Sequence, residues 1–204
     1  MPLTMKYLLT ALLSYLLGGV NGAIIISRLF FGSDVREQGS KNAGLTNFYR
    51  CYGKKGAAFV LLIDLAKGMC SVLLGEKLLA AVGESVFGGA LGMLFCIIGH
   101  MFPIYFRFRG GKGVLTGVGA LLALDWRIGI MEFLIFVLLL VIWRYVSLGS
   151  VAAALLLPAE AWLLGYELSV VVLLSLAGAL VVWKHRSNLG RLFRGEENRF
   201  VWKK

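Results

Sequence analysis

The chain holds two histidines, His100 and His185, and each stands where an apolar run gives way to glycines, amides and cations. Three polar stretches share this character. The first is Gly39-Ser40-Lys41-Asn42-Ala43-Gly44-Leu45-Thr46-Asn47, followed by Arg50. Its hydroxyls, amides and glycines, ending at a helix start, make a cradle for an anion: backbone N–H groups at a helix N-terminus point at phosphate, and glycine lets the ligand approach. The same residue types also build an ordinary capped turn at a membrane surface.

The second stretch runs Gly99-His100-Met101-Phe102-Pro103, then Phe106-Arg107-Phe108-Arg109-Gly110-Gly111-Lys112-Gly113, with Thr116 just beyond. Glycines around a lysine and two arginines suit a phosphate-binding turn, because Arg offers a fork to phosphate oxygens and Lys a mobile point charge. It is not a Walker A loop, since Gly113 follows Lys112 where Ser or Thr would stand. Lipid headgroup anchoring accounts for the arginines but leaves the glycines unexplained. The third stretch is Lys184-His185-Arg186-Ser187-Asn188-Leu189-Gly190-Arg191-Leu192, then Arg194-Gly195-Glu196-Glu197.

The elements that must position these stretches are apolar. Of 204 residues 59% are hydrophobic and 16% charged, with mean hydropathy +0.81. A soluble domain carries roughly 25% charged residues, so the expected solvent is a bilayer. The length allows one membrane domain over 1–204 with about five to seven helices of 20 residues. The expected fold class is an all-α integral membrane protein, a polytopic helical bundle. Apolar runs are read from Tyr7 to Phe31, Gly56 to Leu79, Val86 to Phe106, Ile128 to Trp143 and Leu168 to Trp183. Two shorter ones, Val114 to Leu124 and Ser150 to Leu164, reach only about 16 and 22 Å as helices.

Sixteen of the 21 basic residues fall in the stretches Arg28 to Lys55, Arg107 to Lys112 and the tail from Lys184. Placing all three on the cytoplasmic side requires an odd number of crossings, five or seven. Seven is favoured because Arg144 then also lies inside, with Ser147 beside it. Within the second run Asp64 and Lys67 stand three apart on one helix face, where each neutralises the other and supports the site from behind. Glu132 and Glu160 are expected at the interface. Cys51, Cys70 and Cys96 have neither disulfide nor zinc spacing, and the acidic residues are too scattered for a two-metal centre, so neither metal nor cofactor is expected. Despite the +10 net charge no nucleic-acid partner is expected, since membrane topology already accounts for the cations.

At the three stretches the sequence resembles the bacterial membrane glycerol-3-phosphate acyltransferases that use acyl phosphate, the PlsY family. The resemblance runs over nearly the whole chain, with motifs at Ser40 to Asn47, Gly99 to Thr116 and Lys184 to Glu197. It implies transfer of a fatty acyl group from acyl phosphate to the 1-hydroxyl of sn-glycerol 3-phosphate, giving lysophosphatidic acid and inorganic phosphate for phospholipid biosynthesis. It also implies the bacterial inner membrane, an active site and C-terminus facing the cytoplasm, and transient contact with the soluble enzyme that makes acyl phosphate. Lys41 departs from the pattern, standing where the family more often has glycine. The HxxxxD pair of other glycerolipid acyltransferases is missing, since Tyr105 and Gly190 stand five residues after His100 and His185.

On this reading the catalytic candidates are Ser40, His100, Lys112 and His185. The substrate-binding candidates are Asn42, Gly44, Thr46, Asn47, Arg50, Arg109, Gly110, Gly111, Gly113, Asn188, Arg191 and Glu197. Two phosphorylated substrates call for cations on opposed loops, and an already activated donor leaves positioning and charge neutralisation as the main work. Either histidine, or the substrate phosphate, serves as base. Without the resemblance, a membrane carrier or channel for organic phosphates fits the same composition.

Overall fold

The computed structural model describes residues 1–201, all helix and connecting loop. Lys203 and Lys204, counted above with the basic tail, lie outside the described residues. By its packing the chain divides into two compact units, Met1–Leu124 and Asp125–Lys204.

In the first unit α1 (Leu3–Gly19) and α2 (Gly22–Phe31) share one apolar run but are separate helices. Val20 is extended, and Asn21 caps α2 by accepting from the Ile24 N–H at 3.0 Å. After a short 3-10 turn at Val35–Glu37 come α3 (Leu45–Tyr52), α4 (Lys54–Leu79), α5 (Ser85–Met101), a 3-10 turn at Ile104–Phe106, and α6 (Val114–Leu124). α4 is the hub, with α1, α2, α3, α5 and α6 all packed on it. Its approach to α6 depends on glycine: a Cβ on Gly68 would strike the Thr116 carbonyl, and one on Gly119 the Leu65 carbonyl. Small residues let membrane helices come this close, and here they bring Lys67 and Thr116 to the end of α5.

The second unit is α7 (Trp126–Trp143), α8 (Val146–Leu163), α9 (Leu168–Lys184) and α10 (Arg186–Phe193). α7 packs on α8, α8 on α9, and α10 against both α8 and α9. Asp125 caps α7 through the Arg127 N–H at 2.9 Å and accepts from the Tyr166 hydroxyl at 2.7 Å, tying the start of α7 to the α8–α9 turn. The Arg127 guanidinium, helped by Tyr166, holds the Asp125 carboxyl down at about 2. Burial first, then the neighbouring carboxylate, pushes the Tyr166 phenol up to about 12.

Every apolar run read from the sequence is mainly helical, two of them interrupted at Val20-Asn21 and Phe102-Pro103, so the all-α membrane expectation is borne out. Five helical segments are long and apolar enough to cross a bilayer, six if α9 and α10, bent by 54°, form one span. α6 has only 11 residues. The run placed at Ser150 begins earlier, at Val146, and Ser147 is not an exposed loop residue but lies buried in the first turn of α8. Glu132 and Glu160 are both buried, in α7 and α8.

Candidate active site

The first polar stretch is organised by Asn47, which is buried in α3. Its Oδ1 accepts from the Ser40 backbone N–H at 2.8 Å, while Nδ2 donates to the carbonyls of Val35, Gln38 and Asn42 at 3.0–3.1 Å. One amide thus folds the loop around itself and leaves Ser40 exposed at its rim. Lys41 is exposed too, with φ +58°, a left-handed conformation that glycine adopts without strain. Gly44 precedes the first turn of α3, which carries Thr46, and Arg50 is half-buried in the last turn. Asn21 anchors the loop from below by donating to the Ala43 carbonyl at 3.2 Å.

Asp34 and Arg36 join this loop to the second stretch. Asp34 accepts from Arg28 and Arg36, with nearest contacts of 2.8 and 2.7 Å. Arg36 Nη1 donates to the carbonyls of Phe106 and Arg109, 2.9 Å each. The Arg36 guanidinium, against some opposition from burial, holds the Asp34 carboxyl well below the usual carboxylate range.

The turn from Arg107 to Gly113 folds back onto α5. The Gly110 N–H donates to the Met101 carbonyl at 3.2 Å and the Gly111 N–H to the His100 carbonyl at 3.1 Å. Gly111 passes where no side chain fits, since a Cβ there would strike both His100 Nε2 and the Ala43 carbonyl. The two stretches therefore meet at Gly111. Lys112 is half-buried, and Gly113 starts α6 by accepting from the Gly117 N–H at 2.8 Å. Behind the turn, buried His100 presents Nδ1 to Lys67 Nζ at 2.8 Å and to Thr116 Oγ1 at 3.3 Å. Lys67 also donates to the Val20 carbonyl, 2.8 Å away, exposed by the break between α1 and α2, and forms an ion pair with Asp64 at 2.8 Å.

In the second unit His185 ends α9, buried, with Nδ1 2.8 Å from the Val181 carbonyl. A carbonyl only accepts, so Nδ1 carries the proton and a neutral ring has its lone pair at Nε2. Glu197 collects the third stretch: Asn188 Nδ2 donates to it at 2.6 Å, Ser147 Oγ at 2.8 Å and Arg191 Nε at 2.7 Å. Burial alone would push the Glu197 carboxyl up, but these hydrogen bonds outweigh it and hold the group below its ordinary value.

Residues 8–195 match the family described as Glycerol-3-phosphate acyltransferase. The chain belongs to that family. A relative of that name from Legionella pneumophila (strain Corby) is 41% identical over 97% of this chain and 70% of its own length. Another, from Methylococcus capsulatus, is 39% identical over 91% of this chain and 92% of its own. Among solved structures, the glycerol 3-phosphate form of PlsY (YgiH), an integral membrane glycerol 3-phosphate acyltransferase, superposes with TM-score 0.87 at 33% identity, covering 96% of each chain. The lysophosphatidic acid form gives 0.83 at 31%, covering 96% of this chain and 95% of that one. These matches make the chain an integral, multi-pass membrane acyltransferase of this family.

Within the first unit the acyltransferase chain brings together Ser40, Asn42, Asn47, Gly110, Gly111 and His100. Within the second it brings together Asn188, Arg191 and Glu197. Asn47 spends its amide on the loop backbone and Glu197 its carboxylate on three donors, so both build the loops they stand in. Sequence reasoning missed Asn21, Asp34, Arg36 and Ser147. Asn21-Gly22 inside an apolar run, and an aspartate between two arginines, were signals that were present; Ser147 pairs with a residue 50 positions away, which leaves no local trace. Among the described residues no group of three or more His, Cys, Asp or Glu side chains gathers as for a metal.

Proposed function

We propose that this enzyme transfers a fatty acyl group from acyl phosphate to the 1-hydroxyl of sn-glycerol 3-phosphate, giving lysophosphatidic acid and inorganic phosphate at the cytoplasmic face of a bacterial inner membrane. The hydroxyl oxygen attacks the acyl carbon, the mixed-anhydride C–O bond breaks, and phosphate leaves with its electron pair. The hydroxyl proton passes to the substrate's own phosphate. Lys112, presented by the turn that Gly110, Gly111 and Gly113 form, neutralises and orients phosphate, while Ser40, Asn42, Thr46 and Arg50 supply hydrogen bonds and charge from the first loop. A phosphate leaving group is already activated, so fixed charge and orientation supply most of the acceleration.

The observation that carries this reading is the glycine-rich turn around Lys112, seated on the buried His100 and latched to the Ser40 loop, in a chain of the glycerol-3-phosphate acyltransferase family. The test offers labelled glycerol 3-phosphate to purified protein with palmitoyl phosphate or palmitoyl-CoA, without added metal. Lysophosphatidate from acyl phosphate alone is expected; product from the thioester alone overturns the donor assignment.

A further inference from the structure

Four polar side chains meet inside the apolar first unit: Asp64, Lys67, His100 and Thr116, exposed by 1, 4, 3 and 0%. Ionisable groups at this depth are costly and persist where they have partners and a task. His100 and Thr116 belong to the second polar motif, whereas Asp64 and Lys67 stand on α4 outside all three. What Lys67 does there is set by valence.

An ammonium has three N–H bonds and no lone pair, so each atom it hydrogen-bonds must accept. Around Lys67 Nζ stand the Val20 carbonyl, His100 Nδ1 and Asp64 Oδ1, each at 2.8 Å. The first two contacts are aligned hydrogen bonds, and the Asp64 contact is an ion pair. A neutral imidazole that accepts at Nδ1 must carry its proton at Nε2. Nε2 is the nitrogen beside Gly111, on the side of the glycine turn. His185 is set the opposite way, its Nδ1 donating to a carbonyl.

We infer that Lys67, held by Asp64 and the Val20 carbonyl, is a positioning residue that locks His100 in its Nε2–H tautomer, so that His100 serves acyl transfer as a hydrogen-bond donor and not as the base. The inference rests on the acyltransferase reading above. It gives the helix break a purpose, because a continuous α1–α2 helix would consume the Val20 carbonyl that holds Lys67 in place. A donor fixed in advance stabilises the charge that grows on the acyl oxygen or on the departing phosphate without reorganising during the step.

The test is 15N NMR of histidine-labelled full-length protein in lipid nanodiscs, with His185→Gln identifying the His100 ring, alongside steady-state kinetics. The wild-type His100 is expected as the neutral Nε2–H tautomer. In Lys67→Met the ring is expected to turn its proton to Nδ1, towards Asp64, and kcat to fall by at least about tenfold with little change in the KM for glycerol 3-phosphate. Lys67→Arg, which also lacks a lone pair, is expected to keep the wild-type tautomer and part of the activity. An Nδ1–H or doubly protonated His100 in the wild-type protein overturns the proposal, whether or not the variants fold. So does an unchanged tautomer or unchanged kcat in a folded Lys67→Met protein. Failure of the wild-type enzyme to use any acyl donor overturns the acyltransferase reading instead, and the role of His100 falls with it.

Discussion

Arg36 Nη1 donates to the carbonyl oxygen of Phe106 at 2.9 Å, and by this bond and its twin to Arg109 the Ser40 loop holds the glycine turn. The guanidinium is itself fixed by Asp34 at 2.7 Å. Hydrogen bonds from a charged donor are worth about 1.5–3 kcal/mol each. Arg36→Met is expected to keep the helices and lower kcat/KM for glycerol 3-phosphate by about tenfold or more. Asp34→Asn is expected to add little to that loss, because the two act as one latch. Full additivity in the double variant would separate them.

Gly111→Ala places a methyl group against His100 Nε2 and the Ala43 carbonyl together. Overpacking of this kind costs about 1–3 kcal/mol. The expected result is a folded protein with a lowered Tm and little turnover, since the turn has to move off His100. Wild-type activity in this variant would show that the turn has room the structure does not give it.

Lys112→Ala removes the side-chain cation that the turn's glycines flank. Turnover is expected to fall by about 100-fold or more while thermal stability in detergent holds. Unchanged kinetics would take Lys112 out of the reaction.

Lys41 occupies a left-handed conformation at φ +58° with an exposed side chain. A non-glycine residue there costs about 1 kcal/mol. Lys41→Gly is therefore expected to raise stability slightly and leave the KM for glycerol 3-phosphate unchanged. A rise in KM would mean that the lysine binds phosphate.

The long apolar runs of the chain made its helices legible, because a continuous run of about 20 apolar residues satisfies its backbone in lipid as a helix. The break at Val20 was signalled only by Asn21-Gly22, and nothing local showed that the carbonyl it exposes is satisfied by Lys67, 47 residues away. α10 was hidden by its basic composition, which reads as a solvated tail until Glu197 is seen folding back to take Asn188 and Arg191. Glu132 and Glu160 read as interfacial because each alone would be costly in the core, and their burial within α7 and α8 left no trace in the sequence. The loops were legible by residue type, yet not the division of labour within them, in which Asn47 builds the loop that displays Ser40.

Glu197 gives a pH dependence of known sign. Its carboxyl is held below the ordinary value, so the stabilisation is complete above about 4.3 and is lost as pH falls through the lowered folded value. A spin label on a Val201→Cys variant in a cysteine-free background is expected to stay ordered at neutral pH and become mobile in acid. With Glu197→Gln it is expected to be mobile throughout. An ordered label down to pH about 3 would show that the tail is held by something else.

The most direct measurement is the stoichiometry of the reaction in liposomes containing the purified protein, palmitoyl phosphate and labelled glycerol 3-phosphate. The account predicts one phosphate released for each lysophosphatidate formed, and no phosphate release when glycerol 3-phosphate is left out. Uptake of unmodified glycerol 3-phosphate into the liposomes with no lysophosphatidate formed would contradict it and make the loops those of a carrier.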